Sequence, residues 1–281
     1  MNSSYSTRSV GEPGTQDYRA FISFNGHTIS ALHDIPLAIS SASSDLILNM
    51  IVECPRWSSA KMALAAEEPF APIKHTMSRK GRPAFVRSVF PHHGYVWNYG
   101  CLPQTWSEDA PLHACEIGER ISQIGDIVQV RVLGVLAPRD ENILRWTLLV
   151  INTTDPLANR LRSLKDVEQH LPGIVSSTKE WFRLYKLPEG KDQNTLDLGG
   201  EAKGAEYARD IVRSSHDAWK RLVLGSSQTV DLTNVTIRNS SRLLQIRDAD
   251  ENKAFAVTQH GAGEGPPAPK SSEKWWFVGT T

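Results

Sequence analysis

From Tyr18 to about Val150, apolar and polar positions alternate in short runs that Gly and Pro interrupt. A period of two broken so often predicts many short strands joined by turns. The clearest runs lie at 46–52, 127–133 and 144–151. Such a pattern favours a closed or partly closed barrel. After Thr154 the period lengthens. Leu164, Val167 and Leu171 share one side of a helix predicted over 163–171, which Pro172-Gly173 stops. A second helix is expected over 176–186, capped by Ser176 or Ser177 with Glu180 in its first turn. The longest helix is predicted over 201–224. Ala205, Ala208, Ile211, Val212, Ser215, Trp219 and Leu222 fall near one face of it, and Gly225 ends it.

Outside these elements, 1–16 reads as a loose N-terminal arm and 238–281 as an irregular C-terminal extension. The extension closes on the apolar patch Lys274-Trp275-Trp276-Phe277-Val278. No internal repeat or linker divides the chain, so a single α+β domain over 1–281 is expected.

Composition narrows the function classes more than the fold. Lys plus Arg and Asp plus Glu number 31 each, which gives no reason to expect a nucleic acid or an anionic membrane as partner. The balance also lacks the acidic excess usual where several divalent cations bind. Cys54, Cys101 and Cys115 have neither metal-site nor disulfide-framework spacing and fit buried thiols in a reducing compartment. The N-terminus has no apolar segment of a secretory signal, and no run reaches a membrane span, so a cytoplasmic location is expected.

Several segments, taken in order, carry a family likeness. They are Glu53-Cys54-Pro55-Arg56-Trp57-Ser58-Ser59-Ala60-Lys61, Phe90-Pro91-His92-His93-Gly94-Tyr95-Val96-Trp97-Asn98-Tyr99-Gly100, Pro111-Leu112-His113-Ala114-Cys115-Glu116-Ile117-Gly118, and Glu180-Trp181-Phe182-Arg183-Leu184-Tyr185-Lys186. In these stretches the chain resembles the soluble (family I) inorganic pyrophosphatases of the eukaryotic, fungal type, and the likeness runs nearly its whole length. The resemblance implies an OB-like five-stranded β-barrel with flanking helices. It also implies hydrolysis of pyrophosphate by water activated on several divalent ions, held by carboxylates because hard ions prefer oxygen ligands. Arg56, Trp57 and Trp275 resemble the homodimer contacts of the fungal branch.

Carried over position by position, the likeness keeps the phosphate-side residues Lys61, Tyr95, Tyr99, Tyr185 and Lys186. The carboxylates are depleted. Ala63, Ala84, Ala110, His113 and Thr147 stand where the family has charged residues. Glu53, Glu108 and Asp140 remain as metal ligands only if metal binding survives.

These replacements are small and neutral, and Trp97 adds an aromatic wall. The expectation is therefore a scaffold rebuilt for an organic, largely apolar small molecule, transformed without metal or other cofactor. The reaction would be a cyclisation, cycloaddition or rearrangement, as would suit fungal specialised-metabolite biosynthesis. His113, Tyr95 and Lys61 are its catalytic candidates, and Tyr99, Tyr185, Lys186 and Trp97 its ligand-binding ones. Two alternatives stand beside it: a weak Mg2+-dependent inorganic diphosphatase, and a non-catalytic interaction protein.

Overall fold

A computed structural model describes residues 5–38, 45–225, 229–238 and 269–278. The chain opens with strands β1 (Tyr5–Val10), β2 (Arg19–Phe24) and the short β3 (His27–Thr28). Strand β4 (Ile47–Cys54) starts the barrel, and β5 (Met62–Leu64) and β6 (Ile73–His75) return to the N-terminal sheet. Then come β7 (Asn98–Cys101), β8 (His113–Glu116), β9 (Ile127–Leu136), the hairpin β10 (Pro138–Asp140) and β11 (Ile143–Leu144), and β12 (Thr147–Asn152). Helices α1 (Leu164–His170) and α2 (Ile174–Leu184) precede β13 (Thr195–Leu196) and β14 (Lys203–Gly204), and α3 (Ala205–Leu224) follows.

Five strands close on themselves. β4 pairs with β7, β7 with β8, β8 with β12, β12 with β9, and β9 again with β4. Only the β8–β12 pair is parallel. This is the expected OB-like barrel. Its strands alternate at period two, yet both faces are covered. Leu149 and Ile151 of β12 join the barrel interior, while Leu148 and Val150 pack outward with Ala208 and Val212 of α3. That explains why all six residues of β12 are buried. At Gly100 the wall of the barrel is tight. A Cβ there would lie 1.9 Å from the Ile51 carbonyl oxygen, so only glycine lets β7 pair this closely with β4.

The helices follow the predicted faces, with shifted starts. Ser163 caps α1 by accepting from the Asp166 N–H, as its position suggests. α2 starts at Ile174, two residues before the expected Ser176, and its cap is Gly173 at φ 88°. The serines after it are helical residues, with Ser176 Oγ turned back to the Gly173 carbonyl. α3 buries Ala208, Val212, Ser215, Trp219 and Val223, the stripe its spacing predicts.

The N-terminal arm departs from expectation. Tyr5–Val10 is a strand in full register with Arg19–Phe24, and the Tyr5 ring lies 5.0 Å from that of Phe24. Its Ser and Thr content reads as loose only until β2 supplies the ladder partners. At the other end, residues 239–268 and 279–281 of the expected irregular extension lie outside the described residues, as do 1–4. Residues 269–278 include a helical turn, Lys270–Glu273, and a bridge from Trp276 to Val89. Among the described residues no helix is long and apolar enough to cross a membrane.

Candidate functional site

At one side of the barrel lies a pocket of about 220 Å³. Its lining comes from β4 (Glu53), β5 and the residue before it (Ala63, Lys61), the tyrosine segment (Tyr95, Tyr99), the turn before β8 (Asp109, Ala110), β8 itself (His113), the β10–β12 region (Asp140, Arg145, Thr147) and α2 with its C-cap (Trp181, Phe182, Tyr185). Stretches far apart in sequence thus meet here.

Tyr95 and Tyr99 stack at 5.6 Å, Tyr99 stacks on the His113 ring at 5.3 Å, and Tyr185 stacks on Trp181 at 4.6 Å. Burial pushes all three phenols well above their ordinary pKa, so they are neutral hydrogen-bond donors. The Tyr185 hydroxyl donates to Asp140 Oδ2 at 3.1 Å.

Lys61 stands in the wall with its ammonium 5.6 Å from the centre of the Tyr185 ring. Burial first, and then the charge of Lys186, push its pKa down. It makes no ion pair among the described residues. Lys186 differs. It is 6 % exposed, is held by Asp140 and Glu141, and stands behind the lining.

Two carboxylates of the lining are engaged. Asp140 takes the Lys186 ammonium and the Tyr185 hydroxyl, and Asp109 takes the Arg145 guanidinium on both oxygens. Glu53 is different again. Its Oε1 accepts from the Leu64 N–H at 2.8 Å, while buried Oε2 has no hydrogen-bond partner. Burial pushes its carboxyl up to about 7, against the opposing pull of the Leu64 amide and the Cys101 thiol. His113 is pushed down to about 4, chiefly by burial and then by the charge of Arg145.

Besides Lys186, two more expected site residues are not in the pocket. Glu108 is exposed and borders a separate groove against α3 with Trp106 and Trp146. Ser107 and Ala110 exchange backbone hydrogen bonds at 2.8 and 3.1 Å, making a two-residue turn. Glu108 sits in it at φ 57° and leaves the pocket position to Asp109. Trp97 is fully buried behind the wall. Its Nε1 donates to Thr178 Oγ1 at 2.8 Å, and its ring stacks on Phe182 at 5.4 Å. It supports lining residues and is not one itself. Ala63, Ala110 and Thr147 do line the pocket, and more of its lining is apolar than polar. Lys61, Arg145, Asp109, Asp140 and Glu53 keep it charged. Thr76, Asn194, Trp181 and Phe182 are lining residues that the sequence reading did not select. The helical face of α2 is the signal that could have found the last two.

A hard divalent ion asks for six or more oxygens, several of them free carboxylates. Among the described residues no group of three or more His, Cys, Asp or Glu stands close enough to hold a metal ion. Asp109 and Asp140 are tied to fixed cations, Glu108 points elsewhere, and only Glu53 presents an unpartnered oxygen. The side chains as placed do not make a metal cage.

Comparison with known proteins gives one consistent result. The family profile described as inorganic pyrophosphatase matches residues 50–220. The chain is 41% identical over 288 residues to an inorganic pyrophosphatase of Debaryomyces hansenii, covering 98% of each chain. It is 42% identical over 298 residues to that of Neurospora crassa, covering 99% of this chain and 98% of the relative. Among solved structures, the inorganic pyrophosphatase of Schistosoma japonicum superposes with a TM-score of 0.83 at 32% identity, covering 97% of this chain and all of the other. A truncated vacuolar soluble pyrophosphatase of Trypanosoma cruzi in complex with PPi gives 0.72 at 32% identity, over 79% of this chain and 92% of that one.

Proposed function

The chain belongs to the inorganic pyrophosphatase family, and from that premise we propose that its pocket binds pyrophosphate and hydrolyses it to two phosphates. The same relatives overturn the expectation of a cyclase or isomerase acting on an apolar organic molecule in specialised metabolism. They overturn equally the expectation that no metal takes part, because the family likeness that names the reaction also implies Mg2+. The substrate is accordingly magnesium pyrophosphate. Among the described residues the pocket carboxylates do not form a cage for an ion of the protein's own.

The observation that carries the proposal is Lys61, an ammonium in the pocket wall with no carboxylate paired to it among the described residues. A partly buried cation without a partner is a ready place for a phosphate oxygen. Tyr95 and Tyr99 offer neutral phenol donors beside it, and the Tyr185 hydroxyl and Lys186 are held in place by Asp140. The Lys61 ammonium and the Tyr95 and Tyr99 hydroxyls are thus the preset donors that stabilise charge as it builds on the leaving phosphate. In the reaction a water oxygen bonds to one phosphorus and the bridging P–O bond breaks. The leaving phosphate keeps the bond electrons and takes up the proton that the water gives up. His113, neutral near pH 7, accepts a hydrogen bond from that water on its unprotonated ring nitrogen and keeps one N–H on the other.

With this reading go a single domain over 1–281, a cytoplasmic location and a homodimer through Arg56, Trp57 and Trp275. Trp57 is 58 % exposed and Trp275 39 %, and the Arg56 guanidinium lies 5.9 Å over the Trp57 ring. The proposal is tested by phosphate release from magnesium pyrophosphate, with calorimetric titration of the ligand. Turnover that Lys61→Met removes supports it. An inert protein that binds neither pyrophosphate nor its magnesium complex sinks it.

A further inference from the structure

Arg145 and Asp109 line the pocket as a pair to which the proposed reaction gives no role. They are anchored unequally. The Arg145 backbone N–H donates to the Pro138 carbonyl at 2.8 Å, and its own carbonyl accepts from Thr147 Oγ1 at 3.0 Å, which fixes the residue between β11 and β12. Its side chain is 23% exposed. Asp109 rides on the 107–110 turn, and its side chain is 61% exposed. An ion pair with an exposed carboxylate is well screened and contributes little to holding its anion. A guanidinium presents the same N–H fork to a phosphate as to a carboxylate. The pair is thus a fixed cation holding a replaceable anion. The charge of Arg145 acts on His113, Lys61 acts on the same ring, and Asp140 acts on Arg145, so the guanidinium belongs to the interior of the site.

Resting on the pyrophosphate reading above, we infer that Arg145 is a phosphate-anchoring residue, and that Asp109 is its resident counter-ion, displaced when a phosphate or pyrophosphate anion enters. Arg145 and Lys61 then grip the anion from two stretches of the chain, and movement of the Asp109 side chain suffices to release the fork. Asp109 is committed to Arg145 until the anion arrives.

Calorimetry tests this with pyrophosphate in EDTA, and with non-hydrolysable imidodiphosphate in Mg2+. Arg145→Gln is expected to weaken binding about ten- to a hundredfold, the usual weight of a charge-assisted hydrogen bond. Arg145→Lys should recover only part, because it keeps the charge and loses the fork. Asp109→Asn should tighten binding several-fold (roughly, for removing a competing surface anion), and a folding defect would not produce that gain. Unchanged affinity in Arg145→Gln overturns the assignment. So does weaker binding in Asp109→Asn, which would make Asp109 a ligand of the substrate's metal. In both cases a wild type that still binds leaves the pyrophosphate reading standing. A wild type that binds in neither buffer removes that reading and this one together.

Discussion

Lys61 is held by what surrounds it and not by a partner. Its stem crosses the pocket wall, its ammonium faces the Tyr185 ring, and burial already disfavours its charge. Lys61→Met keeps the length and removes the cation. The expected outcome is a loss of about a hundredfold in kcat/KM for magnesium pyrophosphate, the scale of deleting one preset electrostatic donor. The melting temperature should hold or rise, because a desolvated charge is gone. Steady-state phosphate release and thermal unfolding check both halves. At this scale the sequence was informative about retained residues and poor about geometry. Lys61, Tyr95, Tyr99, Tyr185 and His113 do converge on one pocket. Glu108 was misplaced because a two-residue turn decides which neighbour faces inward, and a motif match does not encode that. Trp97 was misplaced because an aromatic beside the site can back the wall as readily as form it.

Between elements, two buried side chains carry the joints. Trp97, just ahead of β7, packs on Trp181 and Phe182 of α2 and bonds Thr178. Trp97→Ala should cost about 3–5 kcal/mol by leaving a cavity. Because Trp181 and Phe182 line the pocket, KM should rise as well. Urea unfolding and kinetics on the same variant measure both. His33 joins the N-terminal region to α3. Its Nδ1 accepts from Trp219 Nε1 at 3.0 Å, so Nε2 carries the proton and donates to the Asp231 carbonyl at 3.0 Å. Burial is the largest influence and lowers its pKa below 6.5, although Asp34 and Asp231 pull the other way. A histidine whose folded pKa is depressed contributes stability that is complete above its unfolded value and lost as pH falls through the folded one. Stability is therefore expected to drop on acidification below about 6.5, and His33→Gln should flatten that slope in denaturant titrations run across pH. The runs at 46–52 and 127–133 and the stripe of the long helix were legible from their periods, whereas the run at 144–151 is broken between β11 and β12 and the shorter strands carry too few residues to show a period. The strand at Tyr5–Val10 was not legible, because its ladder exists only through β2.

Across the whole molecule, one group of exposed aromatic residues stands out. Phe90 lies 5.5 Å from Trp275 and 5.4 Å from Phe277, and His93 lies 6.0 Å from Trp275. Trp57 is next in line, because a Cβ on Gly94, the residue after His93, would lie 3.2 Å from the Trp57 carbonyl oxygen and 2.4 Å from that of Ser58. Phe90 is 53 % and Phe277 73 % exposed, and a contiguous aromatic patch of this kind is seldom left uncovered in water. A second copy meeting the same patch in two-fold fashion would cover it with matched surface. Trp275→Glu places a charge at the centre of that contact. The expected outcome is a dimeric wild type and a monomeric variant by size exclusion with light scattering. A change of no more than about 0.5 kcal/mol in monomer stability is expected, as for a surface site. The patch also touches the pocket through one bond, from the Trp57 N–H to the Tyr95 carbonyl at 2.6 Å. If dimerisation fixes Trp57, it also steadies Tyr95, and the monomeric variant should keep its turnover while its KM for magnesium pyrophosphate rises. A wild type that runs as a monomer at every concentration rules the interface out, and with it the coupling of that face to Tyr95.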